Sequence, residues 1–200
     1  MMNQKKPMLV CIGGLPATGK STLARGLQPY LGSDAILIDP DRTMLRLLGK
    51  PEGSVLRSED LNPALIKSAI AAMKTETREA LANRHPVIVA SAFVGAQMRA
   101  EFETIAEETN ADLRTFWLEA PVPVLHERAR QRERDSRDVK AAFNNASAVG
   151  VDHIKLSLIE GDVSWPIIDA NQSPAKMLQD LTAKLGGARR RAKAHTTTAH

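Results

Sequence analysis

The residues with the most specific chemistry form one run, Gly13-Gly14-Leu15-Pro16-Ala17-Thr18-Gly19-Lys20-Ser21-Thr22, which satisfies G-x-x-x-x-G-K-S/T from Gly14 to Ser21. Gly14 and Gly19 allow backbone conformations that a side chain would obstruct, so the N–H groups between Leu15 and Thr22 turn inward on a phosphate. The run is an anion cradle. Lys20 reaches the β- and γ-phosphates, the Ser21 hydroxyl is placed for Mg²⁺, and the helix that starts near Lys20 adds its positive end. These residues predict a bound nucleoside triphosphate, with ATP and Mg²⁺ as cofactors.

Two further groups carry chemistry suited to that ligand. Asp39-Pro40-Asp41-Arg42 supplies a carboxylate pair, one member to accept the proton of an attacking hydroxyl and one to hold magnesium through water. The residues alone leave open which does which; Ser21 and Asp39 are the metal candidates, and the bland alternative is an Asp-Pro turn. Arg42 and Arg46 follow, either orienting an acceptor or lying solvated. The second group is His126 to Asp138, rich in arginine. Helical spacing puts Arg128 and Arg132 on one face, with Arg130 and Arg134 on a neighbouring one. A guanidinium inserted beside a transferring phosphoryl group stabilises its charge, so Arg128 and Arg132 are candidate catalytic residues of a lid. The competing reading is a solvated helix laced with Glu–Arg pairs.

The elements that must position these groups alternate. Apolar runs at Met8–Ile12, Ala35–Ile38, Pro86–Ala90, Leu113–Leu118 and Trp165–Asp169 read as strands. Between and after them come helical patterns, with Asn62-Pro63, Pro123 and Ser173-Pro174 as starts. The expectation is an α/β three-layer fold, a five-stranded parallel sheet with helices on both faces and the arginine-rich lid above it. In such sheets ligands sit at the carboxyl ends of the strands, where all three groups fall. The third strand ends in Val89-Ala90-Ser91-Ala92-Phe93, without the carboxylate that P-loop enzymes often place there.

Composition sets the remaining bounds. The 200 residues suit one domain, expected over 1–185, followed by a basic, disordered tail over 186–200. That tail holds Arg189, Arg190, Arg191 and Lys193 and no acid, which accounts for the whole formal charge of +4. The body is therefore near neutral, and nucleic acid is not expected as a partner. Cys11 is the only cysteine, so no intrachain disulfide forms and a reducing cytoplasm is the natural setting. No apolar run approaches membrane-spanning length, so no membrane partner is expected. Oligomeric state is not legible, and no histidine stands at metal-ligand spacing.

Taken together, Gly14 to Ala24, Ile38-Asp39-Pro40-Asp41-Arg42 and the Arg128-to-Arg137 stretch resemble the small P-loop kinases. Within them the chain is similar to AAA-type ATP-binding proteins related to zeta toxin, chloramphenicol phosphotransferase, gluconate kinase and adenylylsulfate kinase. The resemblance implies an ATP-dependent phosphotransferase acting on a hydroxyl of a small molecule. It matches Asp41 to the general base of the zeta toxin pattern, whereas the D-x-x-R pattern of adenylate kinase-like relatives matches Asp39 and Arg42. It also implies that Arg128 packs on the adenine, with the loop Asn171-Gln172-Ser173 against it. Ala90 departs from the common pattern. Two other classes stay in view, a polynucleotide 5′-hydroxyl kinase and a nucleotide-binding regulatory module with little transfer activity.

Overall fold

Met8-Leu9-Val10-Cys11-Ile12 is apolar at every position, which suits a strand covered on both faces. In the computed structural model this run opens β1 (Met8–Gly14), buried throughout and central in the sheet. The structure describes residues 6–51, 54, 56, 60–135, 151–152 and 163–196, with the backbone alone at 133, 135 and 187–196. Arg137 and Asp138, at the end of the lid stretch, lie outside the described residues.

After β1 come α1 (Lys20–Leu31), β2 (Ile36–Ile38), α2 (Pro40–Leu47), α3 (Pro63–Ala82), β3 (Val87–Ala90) and α4 (Ala96–Glu108). Then follow β4 (Asp112–Glu119), α5 (Val122–Asp135), β5 (Ile167–Asp169) and α6 (Pro174–Thr196). The strands lie in the order β2-β3-β1-β4-β5 and every pairing is parallel. This is the expected three-layer α/β fold.

The period-2 alternation of β1 sorts the core into two layers. Val10 and Ile12 face α1, α5 and α6, meeting Leu23, Leu27, Leu125, Ala129, Met177 and Leu181. Leu9 and Cys11 face α3 and α4, meeting Met73, Leu81, Phe102 and Ile105. A third, smaller cluster joins Met44 and Leu45 of α2 to Leu56 in the loop after it and to Ala69 of α3. No helix among the described residues is long and apolar enough to cross a membrane.

Local chemistry sets where the helices begin. Asn62 caps α3 by accepting from Leu65 N at 2.9 Å, with Pro63 at the first helical position. Asp39 caps α2 by accepting from Arg42 N at 2.9 Å, with Pro40 next. The Ser173 hydroxyl accepts from Lys176 N at 3.3 Å ahead of Pro174. α5 starts one residue before the expected Pro123. The helix α6 passes through Gly186-Gly187 to Thr196. Two glycines cost roughly 1 kcal/mol each in a helix interior, a penalty that the flanking Ala, Arg and Lys residues, good helix formers, do not enlarge.

Candidate active site

Strand order decides which loops meet. β3 lies between β2 and β1, so the end of β2 at Asp39, the β3–α4 turn and the phosphate loop after β1 are consecutive neighbours along the carboxyl edge of the sheet. On the other flank β4 leads into α5, and β5 leads into the loop before α6.

The loop between β1 and α1 is built by its own backbone. Gly14 has φ +141°, and a Cβ there would stand 2.6 Å from the Leu118 carbonyl oxygen, so only glycine fits. Ala17 and Gly19 are left-handed, at φ +63° and +92°. Thr18 is fully buried, and its hydroxyl donates to Leu15 O at 2.8 Å across the loop. Pro16 and Ala17 are buried as well, whereas Leu15, Lys20 and Ser21 are half-buried and Thr22 is exposed. Gly19 is the N-cap of α1 and has no side chain to satisfy the helix's first N–H groups. Those donors point out of the helix end, the arrangement that binds an anion.

Lys20 lies across this loop, its Nζ donating to Gly14 O at 2.9 Å and Leu15 O at 2.8 Å. The residue as a whole is half-buried, but its ammonium head is walled in, and desolvation of the head governs its proton. Burial lowers Lys20 from 10.5 to about 8, the charge of Arg132 pushes the same way, and Asp41 opposes both. Asp41 combines the features differently. Its residue surface is exposed, yet the cleft walls strip part of the carboxylate's hydration. Its carboxyl is therefore raised above the ordinary 3.8 by desolvation first and by Asp39 second, with Lys20 pulling it down. Asp41 and Arg132, far from Lys20 in sequence, thus both act on its charge.

The two lid arginines separate. One helical turn carries Arg132 about 6 Å further along α5 than Arg128. Arg132 is exposed and acts on Lys20. The Arg128 guanidinium is held by a 2.8 Å bond to Ala170 O, at the β5 end of the cleft. The loop beginning there also holds Asn171, whose N–H donates to the Asp169 carboxylate at 2.7 Å, and Ser173, the cap of α6. The structure thus brings Arg128 to the loop that holds Asn171 and Ser173, and sets Lys20 within reach of the charges of Asp41 and Arg132.

Other candidates are absorbed by the scaffold. Arg46 pairs with Glu76 of α3 at 2.6 Å, and the bond to Glu76 raises its already high pKa. Phe93 is fully buried with its ring edge-on to Phe102 and Trp165, so it belongs to the core. Among the described residues, no group of three or more His, Cys, Asp or Glu side chains is poised to hold a metal ion. Arg99, 8% exposed on α4, stands in no motif of the sequence. Its signal was an arginine on the same helical stripe as Phe102, Ile105 and Ala106.

Comparison with known proteins gives the family and the fold. Residues 9–149 match the family model described as the AAA domain, and the chain belongs to that family. A curated relative, an uncharacterized protein of Mycobacterium tuberculosis, is 32% identical over 142 residues, which cover 70% of this chain and 28% of the relative. The chain thus matches little more than a quarter of the length of the curated relatives. A gluconokinase from Sinorhizobium meliloti 1021 superimposes with a TM-score of 0.60 at 19% identity, covering 98% of this chain and 100% of that one. The Mycobacterium tuberculosis APS kinase in complex with AMPPNP and APS gives a TM-score of 0.59 at 17% identity, covering 90% and 98%. The fold is that of the small P-loop kinases.

Proposed function

We propose that this AAA-domain chain is a kinase that transfers the γ-phosphoryl group of ATP to a hydroxyl of a small molecule. The observation that carries the reading is the uncapped start of α1, with Lys20 Nζ lying across the loop and the charges of Asp41 and Arg132 acting on it. Amides from Leu15 to Thr22 and the Lys20 ammonium hold the polyphosphate. Asp41 accepts the proton of the acceptor hydroxyl, a role for which a carboxyl raised above its ordinary range and open to water is suited. Arg132 supplies positive charge where the transferring group gathers negative charge. Arg128, with the Asn171–Ser173 loop, forms the adenine end.

Magnesium fits the donors present. The ion takes only one or two protein oxygens and keeps several waters. The Ser21 hydroxyl and the Asp39 oxygen that is not engaged by Arg42 N meet that requirement. When bound, magnesium neutralises charge on the β- and γ-phosphates. The neighbouring kinases named above act on small molecules, which supports a small-molecule acceptor here. A soluble, cytoplasmic setting with no nucleic-acid partner completes the proposal.

A screen of hydroxyl-bearing metabolites, sugars and aminoglycoside-type antibiotics with γ-labelled ATP tests it, read by mass spectrometry. Lys20→Met is expected to cut transfer by about 100-fold or more with the fold retained. A folded Lys20→Met protein with wild-type transfer would sink the reading. The second reading, a nucleotide-binding module that turns over slowly, is favoured by Ala90, an uncharged buried residue at the end of β3. It gains the field if no acceptor raises ATP consumption above background.

A further inference from the structure

Arg99 is a cation on a stripe that otherwise buries apolar groups. It stands with Phe102, Ile105 and Ala106 on the inner face of α4 and is 8% exposed. A guanidinium largely withdrawn from water needs compensating partners. Here the backbone supplies them: Nη1 donates to Phe93 O at 2.9 Å and to Val94 O at 3.1 Å. Among the described residues, no carboxylate pairs with it.

Those carbonyls belong to the β3–α4 turn, residues 91–95. Phe93 has φ +49°, a left-handed conformation that bulky side chains avoid and that persists only when its surroundings impose it. Its ring is fully buried, with centroids 5.2 Å from Phe102 and 5.0 Å from Trp165. Packing fixes the side chain of Phe93. Arg99 fixes its main chain.

The position of the turn makes this matter. It leaves the sheet between Asp39 and Asp41 on one side and Gly13-Gly14 on the other. Ser91 N donates to Ile12 O at 3.1 Å, which ties the start of the turn to the strand that launches the phosphate loop. We propose that Arg99 is a positioning residue for phosphoryl transfer: by clamping the carbonyls of Phe93 and Val94 it keeps the β3–α4 turn a rigid spacer between Asp41 and the phosphate loop. It touches neither nucleotide nor acceptor. The functional half rests on the transfer reading; the clamp itself does not. A loosened spacer lets the reacting groups drift apart, which slows the chemical step while nucleotide affinity, set by the loop and Lys20, holds.

The test compares wild type, Arg99→Met and Arg99→Lys by amide hydrogen exchange, by AMPPNP calorimetry with magnesium, and by ATP consumption with the acceptor found in the screen or, failing one, with water. In Arg99→Met, the amides of residues 92–95 are expected to exchange about tenfold faster or more, while those of β1 are unchanged. AMPPNP affinity stays within about threefold, and ATP consumption falls about tenfold or more. Unchanged exchange at 92–95 in a folded variant overturns the clamp. Faster exchange with full ATP consumption, or AMPPNP affinity lost in step with turnover, overturns the positioning role. If Arg99→Met does not fold, Arg99→Lys decides. It keeps the charge without the planar fork and should show the same pattern at smaller amplitude; wild-type exchange and rate in it overturn the proposal. Should wild type consume no ATP even with water, the transfer reading fails, and exchange alone still decides the clamp.

Discussion

The N-termini of α1 and α2 both follow parallel strands that end at the same edge of the sheet, and they treat their unsatisfied N–H groups in opposite ways. Gly19 leaves the first turn of α1 without a side-chain cap, whereas Asp39 closes α2 with its own carboxylate on Arg42 N. One helix end is kept for an anion from outside; the other has an internal anion already in place. The Asp39 carboxylate already sits at that end of α2. What α2 contributes instead is Asp41 in its first turn, one residue past Pro40, whose charge acts on Lys20. The pair teaches that Asp39 and Asp41 are not interchangeable, because only Asp39 is committed to holding the helix.

The largest expected effect tests that division directly. Asp41→Asn should lower the transfer rate by about 10²–10⁴-fold with AMPPNP affinity nearly unchanged, as measured by single-turnover kinetics beside calorimetry. A similar loss of affinity would mean that Asp41 serves binding and that the contrast with Asp39 is misplaced.

Next comes pH. Lys20 loses its proton near pH 8 in the free loop, while the unfolded chain keeps it to 10.5. Its folded pKa is depressed, so between those values the unfolded state binds more protons and stability without ligand rises with pH. Nucleotide affinity runs the other way. The ammonium form attracts phosphate, so AMPPNP affinity should fall above pH 8, by about tenfold per pH unit at most, with proton uptake on binding seen in buffers of different ionisation enthalpy. Flat affinity from pH 7 to 9.5 would show that the loop amides bind without help from Lys20. The acid limb of the rate should sit above the ordinary carboxylate range, since Asp41 is raised.

Smaller effects sharpen the capping contrast. Asp39→Ala should cost about 1 kcal/mol in denaturant unfolding, and Asp39→Asn only a few tenths, because Asn caps nearly as well as Asp. Equal losses from the two would point to the charge and not the cap. Arg46→Ala, which removes a solvent-exposed pair with Glu76, should change stability by less than about 1 kcal/mol. A much larger loss would give the α2–α3 unit an electrostatic anchor beyond its small apolar cluster.

How much was legible depended on how local each feature is. The phosphate loop could be read whole because its function needs consecutive amides, and Gly14, Gly19, Lys20 and Ser21 are adjacent in the chain. Strand and helix order was legible for a similar reason. Each element writes its own periodicity and start signals, and the differences at β2, β5 and α5 amount to one or two residues. The Asp39/Asp41 pair was visible as chemistry but not as roles, since capping is a property of the folded turn.

The sequence by itself determined that a phosphate-binding loop opens a parallel α/β sheet, with carboxylates and arginines at hand for the chemistry. Those facts lie in contiguous residues, where spacing alone dictates geometry. Only the tertiary structure decided that Arg128 is held at Ala170 O while the charge of Arg132 reaches Lys20, that Phe93 is core, and that Arg99 grips a left-handed turn. These depend on where α4 and α5 come to rest against the sheet. The partner of Arg99 is backbone, which leaves no residue type in the sequence to announce it.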